Sequence, residues 1–412
     1  MRKGYIYRGD FVIDNQTAKR LYEDEVNKNG LSGAYARAAA RAGIHRSTFR
    51  DKVISEPKNN LDKTSEMSMT ERAEIQLLKY RNERLQRQNK ESELALAHLQ
   101  ELERTAIAIR DKTPPLPQWA IDHTAKPDHP GLPIYHWSDW HLGEVVDPKQ
   151  MHGYNAFNRE IAEQRVVTLV RNSLMMTKEI LGRHKPNGCV IFLGGDFVSG
   201  WLHQELIATD DMTPLQAMRT ATTWLNAALL EMVKFFGKIT VIGTPGNHGR
   251  LFHRPPGKLG AYQAFDWLVY GFLQDLFEHD KRFTFIIPGE GEYLAELNGR
   301  RYMFMHGHEL GVKGGDGIIG AIGPIMRGAQ KVGRSSASIG RDFDTLVIGH
   351  YHQPLLLPGI ICNNAIKGFD EYARRERYRA TPPSQVMWFS HAKYGVVHFN
   401  EIFVEKPGKV YE

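Results

Sequence analysis

A chain of 412 residues with 42% hydrophobic and 24% charged side chains is longer than one average domain and has the composition of a globular protein, not of a disordered or fibrous one. It has no apolar run near the roughly 20 residues that a bilayer-spanning helix needs, no apolar stretch of a secretory signal after Met1, and only two cysteines, too few for a disulfide framework. A cytoplasmic protein is expected, and the formal charge of +6 suits a phosphate-rich partner without specifying one.

Residues 1–65 are polar and basic. An alanine-rich stretch runs through Ala38-Ala39-Ala40 to Ala42-Gly43-Ile44, and Arg46-Ser47-Thr48 then opens a second helix. Gly43 supplies the corner and Ser47 a cap or first-turn residue. The pattern resembles the helix-turn-helix of small DNA-binding domains. Its second helix would present Arg46, Thr48, Arg50 and Lys52 to phosphates and base edges.

Residues 66–112 contain no Gly or Pro. Leu78, Leu85, Leu99 and Ala106 fall on one seven-residue row, with Ile75, Asn82, Asn89 and Leu96 on its neighbour. This seam predicts a long helix, and a homodimeric coiled coil is the expected use of it. Residues 113–133 hold Pro114, Pro115, Pro117, Pro127, Pro130 and Pro133, which predicts an extended linker.

From residue 134 to 412 short apolar strands alternate with longer helical stretches. Strands are expected at 134–137, 189–193, 239–242, 283–287, 302–305 and 345–348, and helices near 158–182, 214–236 and 261–279. This alternation predicts a layered α/β domain. Five of the strands run into potential metal ligands: Ser138-Asp139-Trp140-His141, Gly194-Gly195-Asp196, Gly246-Asn247-His248, His306-Gly307-His308 and Gly349-His350-Tyr351-His352. In α/β sheets the crevice at the carboxyl ends of strands is where such side chains converge. Imidazole, carboxylate and an Asn amide oxygen suit Mn, Fe, Zn or Ni, with Mg a further candidate, and the absence of cysteine disfavours a closed structural zinc site.

The ordered set D-x-H, G-D, G-N-H, H and G-H-x-H resembles the calcineurin-like metallophosphoesterase superfamily, over residues 134 to about 400. The resemblance implies a four-layer α/β/β/α sandwich and two divalent metal ions, Mn foremost. One ion would be held by Asp139, His141, Asp196 and His352, the other by Asp196, Asn247, His306 and His350, with Asp196 as the bridge. His248 would face the substrate and stabilise the transition state or protonate the leaving oxygen, and a metal-bridging hydroxide would be the nucleophile. His308 competes with His306 for the ligand position. Two features depart from the family. Gly249 stands where many members carry an acidic residue, so another carboxylate is expected to support His248. The interval from Asp139 to Asp196 is long, so extra helical material is expected near 147–185.

The superfamily spans protein phosphatases, nucleotide and lipid pyrophosphate hydrolases and DNA-repair nucleases, and the metal set does not choose among them. The basic N-terminal zone and a Gly-rich basic loop over 311–341, with Lys313, Arg327, Lys331, Arg334 and Arg341, tilt the expectation to a nuclease or phosphodiesterase acting on DNA. Arg250, His203, His308, Lys313 and Arg334 are its candidate substrate contacts. The alternatives are a phosphomonoesterase or nucleotide phosphatase whose N-terminal region serves oligomerisation, and a DNA-binding regulator with a decayed catalytic domain. The complete ligand set argues against the last of these.

Overall fold

A computed structural model describes residues 15–29, 34–42, 75–76, 78–86, 90, 114–122, 129–202, 204–252, 260–310, 322–406 and 409–411. The chain divides into two compact units, residues 1–93 and 94–412, and the division falls within the stretch 66–112.

In the first unit, helices α1 (Asn15–Asn29) and α2 (Ala34–Ala42) pack through Ala18, Ala38 and Ala39, with Leu21, Tyr22 and Ala42 around them. The small side chains bring the helix axes close, and charge closes the edge. Arg41 donates to Asp24 (2.8 Å) and Glu25 (2.9 Å), and Arg37 to Glu25 (3.2 Å). The alanine-rich helix is thus where the sequence puts it, while the expected second helix with Arg46, Thr48, Arg50 and Lys52 lies outside the described residues. Residues 75–76, 78–86 and 90 are helical, and the seam residues Ile75, Leu78 and Leu85 are exposed.

The second unit is a mixed α/β domain with two mixed sheets. A short helix α3 (Gln118–Ile121) in the Pro-rich stretch precedes β1 (Leu132–Trp137). The first sheet has the order β11-β10-β1-β2-β3-β4, where β2 is Cys189–Leu193, β3 Ile239–Gly243, β4 Phe283–Ile286, β10 Ser384–His391 and β11 Gly395–Phe403. β1 to β4 are parallel, and β10 joins β1 antiparallel. β1 is buried along its whole length, as a strand paired on both sides and covered on both faces must be. Pro133, which has no N–H to give, precedes the first residue that pairs with β2, Ile134.

The second sheet has the order β5-β6-β7-β9-β8, formed by β5 (Glu292–Leu297), β6 (Arg300–Met305), β7 (Thr345–Ile348), β8 (Leu355–Leu357) and β9 (Ile360–Cys362). Period-2 alternation decides what meets what. Ile134, Val190, Phe192, Ile242 and Ile286 of the first sheet share one core with Ala295, Tyr302, Phe304, Val347 and Ile361 of the second. Tyr135, Trp137, Ile191 and Val241 face the other way, onto α4 (Arg159–Leu181), α6 (Pro214–Phe236) and α7 (Phe265–Leu276). A further short helix, α5 (Gln204–Thr209), precedes α6. Met303, Met305, Leu346 and Ile348 form a third core with Leu310 and with Ile325 of helix α8 (Ile322–Ala337).

Local signals explain the long helices. Asn158 caps α4 through the Ile161 amide (2.9 Å), and Thr213 forms a capping box with Gln216 before Pro214 at the first position of α6. α4 is the extra helical material expected between Asp139 and Asp196. Two expectations need correction. The stretch 261–279 is a 3-10 turn over Gly260–Gln263 followed by the shorter α7. The expected basic loop over 311–341 is helical from Ile322, because Pro324, Ile325, Gly328 and Ser336 recur on one buried face and leave Arg327, Lys331 and Arg334 on the exposed one. Composition hid this periodicity behind glycine.

Candidate metal centre

The turns after β1, β2, β3, β6 and β7 bring Asp139, His141, Asp196, Asn247, His248, His306, His350 and His352 together. Three groups have ligand atoms within 4.8 Å of one another: Asp139/His141/His352, His141/Asp196/His248 and Asp196/His306/His350. Asp196 belongs to two of them. The Nε2 atoms of His141 and His352 face each other at 3.1 Å, His352 Nε2 is 3.3 Å from Asp139 Oδ1, and His306 Nε2 is 3.0 Å from Asp196 Oδ2 and 3.2 Å from Asn247 Oδ1. Three imidazole nitrogens, two carboxylates and an amide oxygen converge here, a donor set that could hold divalent cations.

The backbone is strained where these side chains start. Of the nine non-glycine residues with positive φ among the described residues, five are Asp139, His141, Asp196, His350 and His352, at 51° to 66°. Each such conformation costs on the order of 1–3 kcal/mol and persists only where the surroundings enforce it. The enforcing bonds are visible. Asp139 N donates to Gly195 O (2.9 Å), His141 N to Asp196 O (3.0 Å), His350 N to Asp139 Oδ1 (3.0 Å) and His248 N to Asp196 Oδ1 (2.7 Å). The motif glycines make room for the carboxylates. A Cβ on Gly246 would lie 2.1 Å from Asp196 Oδ1, and one on Gly349 would lie 2.4 Å from Asp139 Oδ2.

Electrostatics follow from burying two carboxylates among imidazoles. Burial pushes Asp196 up, but His306 and His248 outweigh it and hold the carboxyl well below its usual range. Burial alone would lower His306, yet the Asp196 carboxylate raises it to about 10. His141 and His350 are lowered by burial first and by their cationic neighbours second. His248 is lowered to about 4, chiefly by burial.

Between His306 and His308 the geometry separates the roles. His306 is fully buried against Asp196, whereas His308 opens a 3-10 turn at the rim and pairs with Glu309 (3.3 Å). His248 meets a backbone carbonyl where a carboxylate was expected: its Nδ1 lies 3.2 Å from Ser199 O. A carbonyl only accepts, so Nδ1 carries the hydrogen and the neutral ring keeps its lone pair on Nε2. Arg250 is half-buried with its Nε unpartnered, within electrostatic reach of Asp196 and His308. Arg334 stands exposed on α8, and His203 and Lys313 lie outside the described residues.

Three supporting groups escaped sequence reading. Asp266, at the start of α7, accepts the amides of Asp196 (2.9 Å), Phe197 (3.1 Å) and Gly246 (3.0 Å) and so ties together the turns that carry Asp196 and Asn247. Glu144 lies 3.5 Å from His141 Nδ1 and is itself held by the buried Lys367 (2.8 Å), which also pairs with Asp370. Asn363 reaches Ser138 Oγ (2.9 Å) and His136 O (3.2 Å). Only Glu144 had a local signal, an acid three residues beyond His141; the others act across long sequence separations.

No protein-family model matches the chain, and no curated protein matches it. Among the described residues no helix is long and apolar enough to cross a membrane.

Proposed function

We propose that residues 134–412 form a dinuclear metal-dependent phosphoesterase of the calcineurin-like kind, with its layers ordered α/β/β/α, and that it hydrolyses a nucleic-acid phosphodiester, DNA before RNA. The observation that carries this reading is the place of Asp196 in two groups of potential ligands at once, one with His141 and His248 and one with His306 and His350. A shared carboxylate between two sets of imidazoles, which would bind metal in their neutral form, suits two adjacent cations. When bound, such ions supply Lewis-acid polarisation of the phosphate and an activated water.

The protein's own groups supply the rest. Arg250, a cation beside the site with no carboxylate ion pair among the described residues, suits a phosphate oxygen. The Ser199 carbonyl fixes the His248 tautomer, so its Nε2 is the atom that takes up a proton when an anionic phosphate arrives and gives it to the leaving oxygen. The basic N-terminal zone supports DNA as the polymer, and residues 66–112 support a homodimer through the seam of Leu78 and Leu85.

The test is a Mn-supplemented hydrolysis panel of single- and double-stranded DNA, RNA, a bis-aryl phosphodiester and an aryl phosphomonoester. Cleavage of DNA above the monoester is expected. Preference for the monoester with inert nucleic acid would overturn the nuclease reading in favour of a phosphatase.

A further inference from the structure

Beyond the candidate metal site, one exposed segment combines cations and aromatic rings. Asp370 caps helix α9 (Glu371–Arg375) through the Ala373 amide (2.7 Å), and the chain continues Glu376-Arg377-Tyr378-Arg379. Tyr372 is 53% and Tyr378 39% exposed, and their rings lie 6.2 Å apart. The Arg375 guanidinium stacks 5.3 Å over Tyr372. Arg374, Arg377 and Arg379 are exposed. Of the segment's two acids, Glu371 accepts the Asp147 amide (2.9 Å) and Glu376 pairs with its neighbour Arg375 (3.1 Å). Arg374 meets His152 Nε2 at 3.3 Å, and Arg374, Arg377 and Arg379 form no ion pair with a carboxylate among the described residues.

Both ends of this segment are tied to the metal centre. At its start Asp370 pairs with Lys367, which holds Glu144 beside His141. At its end Tyr378 lies within electrostatic reach of Tyr351, whose ring is 5.2 Å from that of His350. A solvated face needs charge alone and gains nothing from two exposed rings. Rings that take up bases, set among cations that take up phosphates, are the components of single-strand binding.

We propose that Tyr372 to Arg379 is a strand-holding rim for single-stranded nucleic acid. Unpaired bases stack on Tyr372 and Tyr378 while Arg374, Arg377 and Arg379 neutralise phosphates, feeding the strand toward the ligand cluster. This rests on the nuclease reading and narrows it: a base stacked inside a duplex offers no free face, so single strands or frayed ends are the preferred substrate.

The full-length protein tests this in three forms: Tyr372→Leu with Tyr378→Leu, Tyr372→Phe with Tyr378→Phe, and Arg374→Gln with Arg377→Gln and Arg379→Gln. The leucine pair should raise KM for a short single-stranded oligonucleotide about tenfold, and the phenylalanine pair should leave it within about twofold. The glutamine triple should flatten the salt dependence of that KM by about two in log-log slope. Hydrolysis of a bis-aryl phosphodiester should be unchanged in all three. Unaltered oligonucleotide KM in the leucine and glutamine forms, or equal losses on both substrates, would overturn the rim. If the wild-type protein cleaves no nucleic acid, the nuclease reading fails by itself. Photocrosslinking of a 5-iodouracil oligonucleotide then judges the rim separately: adducts on Tyr372 or Tyr378 uphold it, and adducts confined to other residues overturn it.

Discussion

The two halves of the candidate metal site are held in different ways. Around Asp139, His141 and His352 ionic support is added to the backbone bonds: Glu144 lies 3.5 Å from His141 Nδ1, and the buried Lys367 balances Glu144 and Asp370. Around Asp196, Asn247 and His306 the support is backbone: His306 Nδ1 meets Gly194 O at 2.6 Å, and Asp266 gathers three amides. Backbone bonds set position with little freedom, whereas an ion-paired carboxylate also tunes the basicity of the imidazole it touches. The halves should therefore fail differently when their supports are removed.

Asp196 is common to both halves, so its loss erases the difference. Asp196→Asn is expected to cut turnover at least about a thousandfold and to lower metal content in both halves, read by elemental analysis. Full turnover would refute the two-metal reading. Lys367→Met leaves Glu144 and Asp370 buried without their cation. A loss of about 3–5 kcal/mol is expected, read by denaturant unfolding, and an unchanged midpoint would mean that the ionic support is not structural.

Glu144→Gln keeps the shape and removes the charge beside His141. One metal should then bind about 10–100-fold more weakly while the other is unaffected, which titration calorimetry resolves as two separated affinities. Equal weakening of both would dissolve the distinction between the halves. The smallest effect concerns Asp210, raised to about 7 by burial first and by neighbouring Glu144 second. Between about pH 4 and pH 7 the folded protein keeps this proton while the unfolded chain has lost it, so Asp210 costs stability increasingly as pH rises through that window. Asp210→Asn should raise Tm by roughly 2 °C at pH 8 and leave it unchanged at pH 4; a gain that is the same at both would contradict the assignment.

Six strands of the two sheets were legible because each is a short apolar run bounded by turn residues. β5, β8 and β9 lie outside the expected strands, and so do β10 and β11, although Val386, Trp388 and Phe389 are apolar. These last two follow a long stretch without strand signals, and their pairing partner is β1, far away in the chain. α8 was missed because glycine and serine masked a helical repeat. The residues with potential metal-ligand chemistry were legible because each sits in a short motif with its glycine, and the glycines are required by the close approach of the carboxylates. Asp266, Lys367 and Asn363 had no such local signature.

From its residues alone this sequence determined which side chains are available as ligands and which runs become strands, since both follow from local chemistry and periodicity. That His306 and not His308 lies against Asp196, that a carbonyl sets the tautomer of His248, and that Asp266 and Glu144 support opposite halves are matters of three-dimensional arrangement. These depend on which distant turns the sheets bring within hydrogen-bond reach, and sequence separation carries no record of that distance.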